Sequence, residues 1–300
     1  MWYSRFMRRH RLSLHSSRRR ASACKQQNAC PVEVRDQLFD SYSKLLAQLP
    51  VEAQQIYNMD ETELQIVTGQ PEDEEAPNDA AALTSSDAAE HRATVTVACC
   101  ANAAGRILPP FVVFRGGYSP TTPVTDFPAD TTFAASDSKY TAPELFLRWL
   151  CVFDEKIPPA RPVLLVVGGG AEQKSPLSEE ATRFCEQKEI HVFRLPPDGA
   201  HFRPMVAVFK SLQRKLQLES VKFARKSRRA ISTTDFGRVF TPAYEAALSP
   251  MNVVIGFRKT GLWPLDRHAV VAREAELQRS SGAGIEGMNH FLAKATTLDL

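Results

Sequence analysis

The chain has 300 residues, of which 43% are hydrophobic and 24% charged, and its formal net charge is +3. This composition excludes a disordered or fibrous protein, and the length suffices for one large or two ordinary domains. No stretch approaches the ~18 consecutive apolar residues of a membrane span, and no apolar segment follows the Arg-rich N-terminus, so the sequence argues against a transmembrane protein and a secretory signal peptide.

The first half of the chain predicts a helix followed by strands. Apolar residues at helical spacing over 33–49 indicate one amphipathic helix, which Pro50 ends. The β-rich runs that follow are separated by an acidic loop at 71–90 and by a turn at 102–105. These runs predict three strands that are antiparallel neighbours in one sheet: 56–60, 94–100 and 107–115.

The second half alternates between helical and strand patterns. A loop rich in Pro, Thr and Asp spans 118–141, and the continuous apolar run 163–167 is typical of a central strand buried on both faces. The remaining predicted elements are helices over 143–156, 178–189 and 204–220, a strand over 191–195, and a helix, loop and helix over 232–265. This order predicts an α/β fold in which a mixed sheet, antiparallel at first and then parallel, is covered by helices.

Charge is strongly segregated along the chain. Residues 1–32 carry eight Lys or Arg and no acid, and residues 203–229 carry nine against Glu219 alone, whereas 71–90 holds seven acids. Two cationic blocks beside a folded core indicate a polyanionic partner, because each phosphate that is neutralised releases counterions. The alternative for either block is a solvated helix face or a nuclear-import signal.

A series of motifs occurs in the order in which one known family has them. Tyr-Asn-Met-Asp-Glu-Thr at 57–62 resembles the first-carboxylate motif of the DDE superfamily endonucleases, specifically the pogo/jerky/centromere-protein-B group of transposase-derived proteins. Five later segments resemble that family's hairpin, helix, central strand, strand exit and C-terminal signature: 94–116, 144–150, 161–165, 195–197 and 256–265. The resemblance implies an RNase H-like fold.

The resemblance also implies a site at one rim of the sheet. The family's chemistry needs three carboxylates that hold two divalent metal ions, Mg or Mn, against the attacking and leaving oxygens of a phosphodiester. Asp60 is the only retained carboxylate, because the second is replaced at Gly168 and the third is missing near Met205. We therefore expect that Asp60 holds a metal ion weakly at most, and that it is instead an N-terminal or loop acid paired with a neighbouring cation.

Alternatives to a degenerate site remain open in the sequence. Glu172 or Asp198 is a conceivable substitute ligand, although Glu172 lies beyond the strand end and Asp198 precedes the helix that should carry the third carboxylate. His201 is a candidate helix cap, a phosphate contact or a plain surface histidine. The glycines at 168–170 are a weak match to a dinucleotide-binding loop, because Gln173 stands where the third glycine should be.

The sequence thus predicts a DNA-binding protein derived from a DDE-type transposase that neither cuts nor joins DNA and resides in the nucleus. The expected phosphate contacts are Arg8, Arg9, Arg11, Arg203, Arg214, Lys215, Arg225 and Arg228. The alternatives are an active metal-dependent endonuclease, a protein-interaction module and a decayed element copy that binds nothing.

Three regions are expected along the chain, which looks N-terminally truncated relative to the family. Residues 1–30 form a basic arm, and the part over 1–20 resembles the tail of the helix-turn-helix domain that precedes the nuclease domain in the family. Residues 31–230 are the DDE-type RNase H-like domain, and 231–300 are a C-terminal helical extension.

Overall fold

The computed structural model describes residues 31–67, 92–115, 125–136, 143–168, 177–196, 199–229 and 231–272. Their strands are β1 (Ile56–Val67), β2 (Arg92–Asn102), β3 (Phe111–Arg115), β4 (Thr132–Ser136), β5 (Val163–Val167) and β6 (Ile190–Arg194). Their helices are α1 (Val32–Gln48), α2 (Pro143–Lys156), α3 (Glu179–Gln187), α4 (Val206–Ser227), α5 (Phe236–Ala247) and α6 (Pro250–Thr260). None of the helices in this part of the chain is long and apolar enough to cross a membrane.

All six strands form one mixed sheet in the order β4-β3-β2-β1-β5-β6. The pairs β1–β2 and β2–β3 are antiparallel, whereas β1–β5, β5–β6 and β3–β4 are parallel. The sequence prediction of an antiparallel hairpin region followed by parallel strands is therefore confirmed, and the sheet is RNase H-like. Every residue of β5 is buried, which explains why its sequence is a continuous apolar run.

The sheet lies between two layers of helices. On one face, α2 and α3 pack on Met59 and Leu165 through side chains such as Trp149 and Cys185. On the opposite face, α4 and α5 cover the β1–β3 side of the sheet, and α1 and α6 cover the start of β1 and β5. The helices after residue 231 thus share cores with the sheet, and the predicted region boundary there stays a prediction.

Strand limits differ from the sequence prediction around the hairpins. The third strand begins at Phe111 rather than at Ile107, because Pro109 and Pro110 offer no N–H to the ladder, and Ile107 forms only an isolated bridge with Ala101. Strand β4 lies inside the segment that was predicted to be a loop, and it adds to the outer edge of β3.

Helix α4 is longer than predicted and ends at Ser227 instead of 220. Its last fully buried side chain is Leu216, and beyond it the partly buried Phe223 still packs against the core. The Lys, Arg, Ala and Glu residues of the last three turns favour helix, and Arg228 ends the helix in the left-handed conformation at φ 52°. The acidic loop at 71–90 and the arm at 1–30 lie outside the described residues.

Candidate functional site

Asp60 and Gly168 meet where β5 ends beside β1. Strands β1 and β5 run parallel with Met59 opposite Val167, so the next residues along the two strands are Asp60 and Gly168. The Gly168 N–H donates a hydrogen bond of 3.0 Å to the Met59 carbonyl, which extends the ladder to this point. Gly168, where the sequence led us to expect that the second carboxylate is replaced, is therefore directly beside Asp60.

The Asp60 carboxylate is almost completely withdrawn from solvent, with 4% of the side chain exposed. Its Oδ1 accepts a 3.0 Å hydrogen bond from the Glu61 N–H and lies 3.7 Å from Nη1 of Arg203. Its Oδ2 has no hydrogen-bond partner among the described residues. Burial raises the pKa of Asp60 from 3.8 to about 6, although the Arg203 charge and the Glu61 amide both lower it.

The side chain of Asp60 fills the space above Gly168. A Cβ atom added at residue 168 would lie 2.7 Å from Cγ and 3.1 Å from Oδ2 of Asp60, and nearer still to Oδ1. Carbon atoms need about 3.5–4.0 Å between non-bonded neighbours. A side chain at position 168 and the present conformation of Asp60 are therefore mutually exclusive.

The third predicted corner of the site differs from its expected form. Met205 is fully buried in the apolar core that α4 and α5 share with the sheet, so its side chain faces away from a polar rim. Arg203, two residues earlier, is the side chain of this segment that reaches Asp60. Asp60 pairs with a neighbouring cation as expected, but it lies within β1 rather than in a loop or at a terminus. That the cation is Arg203 was not predicted, because 143 residues separate the two and no local motif links them.

Of the other residues that the sequence offered for this site, the structure describes only His201. His201 is buried within the short 3-10 helix Ala200–Phe202, so it is not a surface histidine. Helix α4 begins at Val206, and its N-cap residue Met205 makes no side-chain cap hydrogen bond. Glu172, Asp198 and the glycines at 169–170 lie outside the described residues.

These residues do not fit a divalent metal ion. Mg²⁺ takes oxygen ligands in a nearly octahedral arrangement, and the two-metal chemistry requires several carboxylates around it. Among the described residues, the rim offers the Asp60 carboxylate, a glycine and a guanidinium, whose positive charge repels a second cation. Across the described ranges, no group of three or more His, Cys, Asp or Glu side chains could hold a metal ion.

The predicted phosphate contacts of the second basic block lie along α4. Arg214, Arg225 and Arg228 are exposed and Lys215 is half-buried. Eleven residues, or about three turns and 16 Å, separate Arg214 from Arg225, so the two project from the same side of the helix. With the exposed Lys210 they form the basic face of α4. Arg203 is set apart against Asp60, and Arg8, Arg9 and Arg11 lie outside the described residues.

Comparison with known proteins identifies relatives of the chain. A family model described as "DDE superfamily endonuclease" matches residues 92–257, which is more than half of the sequence. A curated protein described as "MFS-type transporter clz9", from Cochliobolus lunatus, is 28% identical over 191 residues, and the match covers 61% of this chain and 20% of that protein. The chain thus spans about one fifth of the length of this relative.

The solved structures that resemble the chain include several complexes of the Mos1 transposase. The pre-cleavage Mos1 transpososome gives a TM-score of 0.46 at 11% identity, over 83% of this chain and 62% of that chain. The Mos1 mariner paired end complex with Mn gives a TM-score of 0.44 at 10% identity, over 81% and 63%.

Proposed function

Because the chain belongs to the DDE superfamily endonucleases, we propose that it is a transposase-derived protein that binds DNA and neither cuts nor joins it. The observation that carries the proposal is the pairing of Asp60 with Arg203 beside Gly168. The family's reaction needs carboxylates at all three places, and here two of them are occupied by a residue without a side chain and by a cation. We also propose, from the sequence motifs, that the protein is of the pogo/jerky type.

Loss of the chemistry follows from the way two metal ions act. Each ion must be fixed by carboxylates so that one activates the attacking oxygen and the other stabilises the leaving oxygen of the phosphodiester. Gly168 supplies no side-chain ligand, and Arg203 places a positive charge 3.7 Å from the one carboxylate that remains. Removal of catalytic ligands costs orders of magnitude in rate, so we expect no useful turnover.

Binding of DNA rests on the basic face of α4 together with the basic arm of the sequence. Lys210, Arg214 and Arg225 are exposed on one side of α4. Such a row of cations contacts phosphates and carries no base preference, so binding is sequence-tolerant and strongly salt-dependent. We also propose that the protein resides in the nucleus, because its proposed partner is DNA.

A mobility-shift titration at low salt tests the DNA-binding half of the proposal. We expect the full chain to shift a duplex of arbitrary sequence, and Arg214→Glu/Arg225→Glu to weaken the shift about tenfold or more, since each reversal replaces a phosphate contact with a repulsion. Arg183→Glu is the control for a charge reversal away from this face, because Arg183 is exposed on α3 in the layer on the opposite side of the sheet. An unshifted duplex would instead support the decayed copy or the protein-interaction module.

A further inference from the structure

We propose that the Arg203 guanidinium takes the place of a metal ion beside Asp60. We also propose that residue 203, rather than a residue within α4, occupies the position of the family's third carboxylate. The inference deepens the proposed function and rests on it, since it explains how this chain keeps Asp60 buried without a metal ion. It assigns to Arg203 a positioning role in place of the phosphate contact expected from the sequence.

The first step is that Arg203 is held in place by its neighbours in the chain. Phe202 is fully buried and packs edge-on against Phe39 of α1 at a centroid distance of 6.1 Å. On the other side, Pro204 and Met205 are buried as well. Anchors on both sides of residue 203 fix its backbone, so the direction of its side chain toward Asp60 is set by the fold.

The second step concerns Asp60, which is turned into the space of the missing side chain at 168. Its Oδ1 is fixed by the Glu61 N–H, and its carboxylate occupies the volume that a Cβ of residue 168 would take. A carboxylate restored at 168 alone would therefore have to expel Asp60 from its present position. The restored pair would also still face the Arg203 guanidinium.

The third step is electrostatic. Asp60 and Arg203 together carry no net charge, and a carboxylate that is 96% buried is stable only when a cation or a proton compensates it. A divalent ion bound at Asp60 would lie against the guanidinium in a region with little water to screen the repulsion. Arg203 must be removed before this rim can take a metal ion.

The test measures Mn²⁺ binding to the full chain by electron paramagnetic resonance. We expect the natural chain, Gly168→Asp and Arg203→Glu each to bind Mn²⁺ weakly or not at all. The double variant Gly168→Asp/Arg203→Glu should bind about 10- to 100-fold more tightly, because it returns three carboxylates to one rim and removes the cation.

The matched control is Gly168→Asp/Lys210→Glu. It changes the net charge equally, but residue 210 is exposed on α4 and does not contact Asp60. Equal Mn²⁺ affinity of the two double variants would overturn the proposal. So would Mn²⁺ binding by the natural chain that is as tight as that expected of the double variant and disappears in Asp60→Ala.

Unfolding equilibria give a second readout that needs no metal and survives failure of the double variant to fold. Gly168→Ala should raise the unfolding equilibrium constant about tenfold or more, because its Cβ meets the Asp60 carboxylate. In an Asp60→Ala background the same change should have almost no effect. Additive effects of the two substitutions would contradict the proposed placement of Asp60. If the two substitutions act additively on stability while the chain still binds DNA, only the inference about Asp60 fails. If their effects on stability are coupled while the chain does not bind DNA, only the proposed function fails.

Discussion

Asp60 and Gly168 lie side by side on parallel strands, and the carboxylate of the first fills the space where the second lacks a side chain. The conformation of Asp60 thus depends on the absence of a side chain at residue 168. Together with Arg203, Asp60 forms a buried ion pair beside the carboxyl end of β5.

The free energy of unfolding should depend on pH through the titration of Asp60. Burial raises its folded-state pKa from 3.8 to about 6, so the folded chain binds this proton more tightly than the unfolded chain. The resulting stabilisation is complete below pH ~4 and is lost as the pH rises through ~6, and it amounts to about 3 kcal/mol in total. Urea unfolding of the natural chain and of Asp60→Asn, compared from pH 4 to pH 8, measures this difference.

We expect Asp60→Asn to gain stability relative to the natural chain as the pH rises over this range. Asp130→Asn is the control for the exchange of Asp for Asn itself, because the Asp130 side chain is 67% exposed. If the free energies of unfolding of the natural chain and of Asp60→Asn differ by the same amount from pH 4 to pH 8, the raised pKa of the buried Asp60 carboxylate would be contradicted.

An acid at Met205 should disrupt folding rather than repair the site. Met205 is fully buried among apolar side chains, so Met205→Asp buries a charge without a partner and should destabilise the chain by about 3–5 kcal/mol. Ala207→Asp is the control, because residue 207 is exposed in the first turn of α4, where an acid is favourable. Thermal unfolding of the two variants separates these outcomes, and equal melting temperatures would contradict the placement of Met205.

Salt dependence should reveal how many phosphates the protein contacts. With about six contacts, the slope of log K against log salt concentration is about −5, and Arg214→Glu/Arg225→Glu should reduce its magnitude by about two. Fluorescence anisotropy with a labelled duplex between low and moderate salt gives the slope. A slope near zero, or one that the double reversal leaves unchanged, would exclude the basic face of α4 as the DNA contact.

Much of the fold could be predicted from the sequence, because local patterns determine its elements. Apolar periodicity located α2 at its observed limits and α1 within one residue of its own, and the continuous apolar run located β5. Strand β4 could not be predicted, since Thr132–Ser136 forms a strand only by adding to the edge of β3, which is a tertiary effect. The extra turns of α4 were not predicted, because no side chain beyond Leu216 is fully buried in this helix.

The candidate site could be predicted only to the level of Asp60 and Gly168. Asp60 ends one predicted strand and Gly168 follows another, and the carboxyl ends of neighbouring parallel strands meet at one edge of a sheet. The Arg203 contact depends on the burial of Phe202 and Met205 on either side of it, and that burial depends on helices elsewhere in the chain. No local pattern distinguishes Arg203 from the exposed cations that follow it.

Plasmid nicking with Mg²⁺ and with Mn²⁺, at a protein concentration that shifts all of the plasmid, tests the central claim most directly. The samples are the natural chain, Asp60→Ala and Gly168→Asp/Arg203→Glu. We predict that the natural chain and Asp60→Ala leave the plasmid equally intact while both bind it. Metal-dependent nicking by the natural chain that vanishes in Asp60→Ala would contradict the account and show that an active endonuclease operates at this rim.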